Sequence, residues 1–173
     1  MRIAISGLSG CGNTSTSNAL ANKLGYKLIN FTFRNLAEEK GVSFEELCKK
    51  AKETNDIDIE LDNRQVDMAM SEDNVILASR LAIWMLKDAD YKIFLEASDD
   101  IRVKRIQKRE GGTIEEQSVK TKKRDESDHK RYLDIYGIDN SKYSFADLII
   151  DTDNMNANEV ADCIYNFIKS NRR

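Results

Sequence analysis

A three-layer α/β fold, a five-stranded parallel sheet with helices on both faces, is predicted from three observations. Five short apolar runs rich in β-branched residues, at 2–6, 26–31, 74–78, 91–96 and 147–151, recur between helical patterns. The first run leads straight into a glycine-rich loop and then into a helical pattern. At 173 residues the chain fits a single domain spanning 1–173, so any further part is an insertion into it.

The elements follow in order. After the first strand and the loop, Ala19, Leu20 and Leu24 recur at helical spacing, and Gly25 supplies a stop. Between the second and third strands lies a long, charged, helical stretch, residues 33–71, with a capping signal where Ser43 precedes Glu46. Between the fourth and fifth strands lies a basic stretch interrupted by Gly111 and Gly112. A last helix over 157–169 is announced by Asn156 three residues before Glu159. With no proline, repeat or low-complexity tract, residues 33–71 and 110–131 read as two insertions on one core.

Composition excludes several functions. A 40% hydrophobic, 33% charged chain has no run near the ~20 apolar residues of a membrane span. Its start, Arg2-Ile3-Ala4-Ile5-Ser6, is unlike a secretory signal, so a cytoplasmic location is expected. Cys11, Cys48 and Cys163 are scattered and odd in number, which favours reduced thiols over a disulfide framework or zinc site. Net charge is −3, but residues 102–131 hold 11 Lys/Arg against 6 Asp/Glu, leaving that segment at +5 and the remainder at −8. The segment expects anions.

The loop from Gly7 to Thr14 reads G-L-S-G-C-G-N-T and fits G-x-x-x-x-G-K-S/T except at the lysine position, where Asn13 stands. Gly7, Gly10 and Gly12 allow the backbone at Leu8, Ser9, Cys11, Asn13, Thr14 and Ser15 to turn its N–H groups toward a phosphate at the positive end of the next helix. Thr14 can place its hydroxyl on a magnesium ion held by nucleotide phosphates. Asn13 can donate a hydrogen bond but carries no charge, so charge stabilisation on a leaving phosphate must come from elsewhere. Cys11, near the helix N-terminus, is a loop-filling residue rather than a thiolate.

Arg102, Arg105 and Arg109 recur at three- and four-residue spacing on one helical face, as do Arg124, Asp128 and Arg131 with a carboxylate between two arginines. Spacing alone leaves open a solvated, salt-bridged surface or a phosphate site. His129, the lone histidine, lies among charged residues and is expected to be exposed.

Arg124-Asp125-Glu126-Ser127-Asp128 continuing to Arg131 resembles the R-D-x-x-D-x-x-R signature of the cytidylate kinases, the archaeal type in particular. Ala146-Asp147-Leu148-Ile149-Ile150-Asp151-Thr152 is similar to that family's A-D-L-x-I-x-T segment, which leads to the adenine pocket. Glu60-Leu61-Asp62 with Arg64, and Arg80-Leu81-Ala82, resemble segments that line its monophosphate site. The resemblance implies a P-loop nucleoside monophosphate kinase, with residues 33–71 as the NMP-binding insertion and 110–131 as the lid. It implies ATP as co-substrate, Mg2+ at Thr14, and CMP as acceptor. Carried over, Arg124 serves the transferring phosphate, Asp128 the ribose and Arg131 the acceptor phosphate, with Arg34, Arg64 and Arg80 completing the acceptor side. The chain departs from the pattern at Asn13, at Ala78-Ser79 before Arg80, and before Arg34, where no Asp stands.

Three readings follow. One is a kinase converting ATP and CMP or dCMP to ADP and the diphosphate, or acting on AMP or UMP. A second is a nucleotide-binding module of the same fold with weakened catalysis, motivated by Asn13, Ala78 and Ser79. The third, a nucleic-acid binder, is disfavoured because the basic segment lacks interleaved aromatics and the whole chain is acidic. A monomer acting on small nucleotides, away from membranes and nucleic acid, is expected.

Overall fold

The structure, a computed structural model, describes residues 1–171; the last two residues of the predicted domain lie outside the described residues. Five strands, β1 (Arg2–Gly7), β2 (Lys27–Ile29), β3 (Val75–Ala78), β4 (Tyr91–Glu96) and β5 (Leu148–Asp151), form one sheet in the order β2-β3-β1-β4-β5. Every pairing is parallel. The helices among the described residues are α1 (Asn13–Leu24), α2 (Phe33–Lys40), α3 (Phe44–Glu53), α4 (Asp56–Met70), α5 (Ala82–Met85), α6 (Asp99–Glu110), α7 (Ile114–Tyr136) and α8 (Ala157–Ser170).

β1 is central, and Ile3, Ala4 and Ile5 have no exposed surface. A strand covered on both faces reads as a continuous apolar run because neither side meets water. Ile3 and Ile5 pack with Ile76, Ile93 and Leu95 against Leu20 of α1 and Val160 and Ile164 of α8. Ala4 faces the other way, with Leu77 and Phe94 beneath Leu36, Leu47, Leu61 and Ile83 of α2 to α5. Since all strands run the same way, their C-terminal ends share one edge, and the loop after β1 emerges at its middle.

Two expectations are refined. The run 26–31 contributes only Lys27–Ile29 to the sheet, because β2 is an edge strand paired on one side. Phe31 instead buries its ring in the core under α2, while its carbonyl accepts from Gln65 Nε2 at 2.8 Å. The stretch 33–71 is three helices: Gly41, at φ 65°, ends α2, and Ser43 Oγ accepts from the Glu46 N–H at 3.1 Å to start α3. In the basic stretch, Gly111 and Gly112 both turn at φ 78° between α6 and α7, and a Thr113/Glu116 capping box starts α7. The Gly25 stop and the Asn156/Glu159 cap form as the sequence predicts. No helix among the described residues is long and apolar enough to cross a membrane.

Leu77, 1% exposed at the centre of one core layer, is a direct measure of that packing. Leu77→Ala should lower unfolding stability by about 2–5 kcal/mol, read as a reduced urea midpoint at unchanged slope.

Candidate active site

Close backbone approach dictates where the loop after β1 needs glycine. A Cβ on Gly7 would lie 2.5 Å from the Leu95 carbonyl of β4. Gly10 has φ +88°, and a Cβ there would lie 2.8 Å from the Arg102 carbonyl. The loop is thus wedged between β4 and α6. Cys11 N–H donates to the Leu8 carbonyl at 3.2 Å, and Gly12, at φ 94°, precedes the first residue of α1. The orphan N–H groups of the first α1 turn and the exposed Thr14 and Ser15 sit at the helix's positive end. Together they floor a cavity of about 650 Å³.

The arginines of α6 answer the question their spacing left open. Arg102, its side chain only 3% exposed, donates from Nε to the Ser9 carbonyl at 2.8 Å. Its Nη1 meets Asp99 at 2.9 Å and its Nη2 meets Asp125 of α7 at 2.6 Å. Arg105 donates to the Gly10 carbonyl at 3.3 Å and to Thr152 Oγ1 at 3.0 Å, beyond β5. Two of the three arginines therefore buttress the loop, Arg102 buried and Arg105 half-buried. Arg109 pairs with Glu110 at 2.6 Å at the cavity wall.

The cavity wall carries five cations, Arg80, Arg105, Lys108, Arg109 and Arg124, and no carboxylate. Thr152, Met155, Asn156, Ala157 and Val160 close its far end. Such a volume, floored by backbone N–H groups and walled by cations, suits a polyanion with an apolar end.

Arg80 joins this cavity to the second arginine set. Its Nη2 donates to Ser9 Oγ at 2.8 Å, and its Nη1 pairs with Asp128 of α7. Burial pushes the Arg80 guanidinium below its ordinary range. Asp128 is 7% exposed and also accepts from Arg131 Nη2 at 3.0 Å. Arg131 Nη1 lies 3.4 Å from Asp58 of α4, so carboxylates and guanidiniums alternate from loop to insertion. Beside them Tyr136 donates to Asp62 at 2.6 Å. Burial pushes the Asp58 and Asp62 carboxyls up, with Arg131 pulling both back.

Of the residues singled out by sequence, the loop, Arg80 and Arg124 line the cavity, and Asp128 and Arg131 adjoin it through Arg80. Arg34 and Arg64 stand apart from it. Arg34 lies over the Phe44 ring at 4.5 Å, and Arg64 pairs with Glu39 at 3.1 Å. Asn13 turns back on the loop: its Nδ2 donates to the Gly7 carbonyl at 3.0 Å, and its Oδ1 is buried without a partner. Burial pushes the Cys11 thiol up, against the pull of Arg102, consistent with a filler rather than a thiolate. The His129 side chain is 41% exposed, partly covered by its neighbours. Its Nδ1 lies 2.7 Å from Asn140 Oδ1, beside a second cavity of about 330 Å³ lined by Glu96, Asp125 and Tyr143.

Sequence reasoning missed Lys108, Asp58 and Tyr136. Lys108 stands three residues after Arg105 but belongs to no motif, and the Asp58 and Tyr136 contacts depend on how α4 meets α7. Thr152 was marked only by the resemblance of its strand.

With this geometry in place, the model of the cytidylate kinase-like family matches residues 2–154. The chain belongs to that family. Cytidylate kinase 2 of Borrelia garinii subsp. bavariensis is 45% identical over 168 residues, covering 95% of this chain and 94% of the relative. Cytidylate kinase of Pyrococcus abyssi is 45% identical over 152 residues, covering 87% of this chain and 83% of the relative. Among solved structures, shikimate kinase from Acinetobacter baumannii superposes with TM-score 0.64 at 17% identity, covering 99% of this chain and 94% of that one. Deoxyadenosine kinase from M. mycoides with bound dATP superposes with TM-score 0.58 at 19% identity, covering 98% and 100%. These likenesses show that the chain shares its fold with the two kinases.

Arg102 is the cytidylate kinase-like chain's main tie between loop, α6 and α7. Arg102→Ala leaves Asp125 and the Ser9 carbonyl without their partner, and should cost about 3 kcal/mol in a urea titration. Arg102→Lys, which keeps the charge but loses the planar fork, should recover only part of the loss.

Proposed function

We propose that the chain transfers the γ-phosphoryl group of ATP to CMP, and to dCMP, releasing ADP and the pyrimidine diphosphate. The observation that carries this is the carboxylate-free cationic cavity on the glycine loop, joined through Arg80 to Asp128 and Arg131. Membership of a family whose curated relatives are named cytidylate kinases supports the acceptor.

The ATP phosphates lie on the N–H groups from Leu8 to Ser15, with the adenine toward Thr152, Met155 and Ala157. Arg124 reaches the transferring phosphoryl group, Asp128 takes the acceptor ribose hydroxyls, and Arg131 takes the acceptor phosphate. Arg34, Arg64 and Arg80 complete the acceptor side. In the present arrangement Arg34 and Arg64 are held by Phe44 and Glu39, so they reach CMP only when the insertion 33–71 moves inward. The segment 110–131 acts as the lid, excluding water that would otherwise accept the phosphoryl group.

A phosphate oxygen of CMP, already anionic at neutral pH, attacks the γ-phosphorus. The bond to the bridging oxygen breaks, and its electron pair leaves on ADP. No general base is needed, and the arginines stabilise charge on the equatorial and leaving oxygens.

The donor set fits magnesium. Among the described residues no three His, Cys, Asp or Glu side chains could hold a metal, so the protein offers no cage of its own. Mg2+ commonly binds through substrate phosphates, waters and one or two protein oxygens, and the exposed Thr14 hydroxyl at the cavity floor is such an oxygen. When bound, the ion neutralises charge on the nucleotide phosphates. A monomer in the cytoplasm, acting on free nucleotides and not on nucleic acid, completes the proposal.

A coupled assay of ADP release with CMP, dCMP, UMP and AMP tests it. Turnover with CMP and dCMP is the expected result, and silence with all four in a cooperatively melting protein sinks it. Asp128→Ala should raise KM for CMP by about 10- to 100-fold, the loss of hydrogen bonds from a charged acceptor, while leaving KM for ATP within about threefold.

A further inference from the structure

A phosphate loop without lysine lacks the mobile cation that accompanies charge onto the leaving phosphate. Asn13 does not replace it. Its amide is spent on the Gly7 carbonyl at 3.0 Å, and its Oδ1, an acceptor, is buried against the loop. That oxygen would lie only 2.8 Å from a Cβ on Gly7, so the side chain fills the space beneath the loop. The charge must come from the cavity wall.

Four of the five wall cations are already engaged. Arg80 is divided between Asp128 and Ser9 Oγ, and Arg105 between the Gly10 carbonyl and Thr152. Arg109 and Arg124 converge on one carboxylate, Glu110, at 2.6 and 3.8 Å. Lys108 differs: it is exposed, lines the cavity, and has no carboxylate or carbonyl partner among the described residues. It stands three residues after Arg105 on α6, one turn beyond the side chain that holds the loop at Gly10.

We propose that Lys108 is a catalytic residue that contacts the β- and γ-phosphates of ATP, supplying from α6 the ammonium charge that the loop lacks at Asn13. This rests on the kinase function proposed above. An ammonium on a four-carbon stem is a compact charge that can follow the phosphoryl group as it transfers. Arg80 and Arg105 are held in place by their partners, and Arg124 serves the transferring phosphoryl group in the function proposed above. Because α6 is tied to the loop by buried Arg102 and half-buried Arg105, the position of Lys108 relative to the phosphates is fixed by these two side chains and not by the loop itself.

The test is a set of four full-length proteins, wild type, Lys108→Ala, Asn13→Lys and the double variant, assayed with saturating ATP and CMP. Lys108→Ala should lower kcat by about 100-fold, the scale of losing one charge-stabilising donor, at an unchanged Tm because the side chain is exposed. Asn13→Lys should restore at least about tenfold of that loss in the Lys108→Ala background and gain less in the wild type, because two groups with one role are not additive. A Lys108→Ala kcat within about threefold of wild type overturns the proposal, and so does an equal gain from Asn13→Lys in both backgrounds. Should Asn13→Lys disrupt the loop and lower Tm, Lys108→Arg decides instead: it must retain at least about tenfold over Lys108→Ala.

Wild-type turnover of CMP separates failure of this proposal from failure of the kinase function. If wild type is inactive, fluorescence titration with a labelled ATP decides. Lys108→Ala should then weaken ATP by about tenfold and leave labelled adenosine unchanged, and equal ATP affinity overturns the proposal.

Discussion

The buried guanidinium of Arg102 is the interaction on which the rest of the site depends. One side chain, 3% exposed, gives hydrogen bonds to the loop at Ser9, to its own helix at Asp99 and to α7 at Asp125. A planar fork with five donors can hold three such groups at once, which an ammonium cannot do with fixed angles. Arg105, one turn on, repeats the arrangement at Gly10 and Thr152. The loop is therefore positioned from β1 on one side, buried from Ile3 to Gly7, and from α6 on the other. Its N–H groups point where they do because neither support can shift cheaply.

A second set of charges crosses from the loop to the acceptor side. Ser9, Arg80, Asp128, Arg131 and Asp58 form a row in which each charged group has a partner of opposite sign. In the absence of nucleotide these pairs hold the arginines in place and keep buried carboxylates from standing alone. In the proposed function a nucleotide entering the site exchanges phosphate and ribose contacts for these internal ones, so affinity is a difference between two well-satisfied arrangements. This also explains why Asp58 belongs to the site although no motif marks it. It balances Arg131 from the insertion, and burial raises its carboxyl while Arg131 lowers it.

Much of this was legible in the sequence, for reasons that differ element by element. Strand β1 and its loop were legible because double-sided burial leaves an unbroken apolar run and because close approach at Gly7 and Gly10 admits no side chain. The placement of Arg124, Asp128 and Arg131 on one face of α7 followed from helical spacing. The end of β2 was overrun, since Phe31 looks like a strand residue whether it pairs in a sheet or folds into a core. Spacing showed that Arg102 and Arg105 share a face but could not show which way it points. That depends on how α6 packs across the loop. The partners of Asp58 and Tyr136 come from segments distant in sequence, and a single chain's pattern carries no record of such pairings.

In the proposed function the glycine loop anchored by Arg102 binds phosphate without bringing a charge of its own to catalysis, since Asn13 turns inward. Product formation therefore tests the account more directly than binding does. Phosphorus NMR of the protein with ATP, Mg2+ and CMP resolves where the γ-phosphoryl group goes. The account predicts loss of the ATP β-phosphorus signal with matched growth of ADP and CDP. Growth of inorganic phosphate without CDP, or an unchanged ATP spectrum from a folded protein, would contradict it.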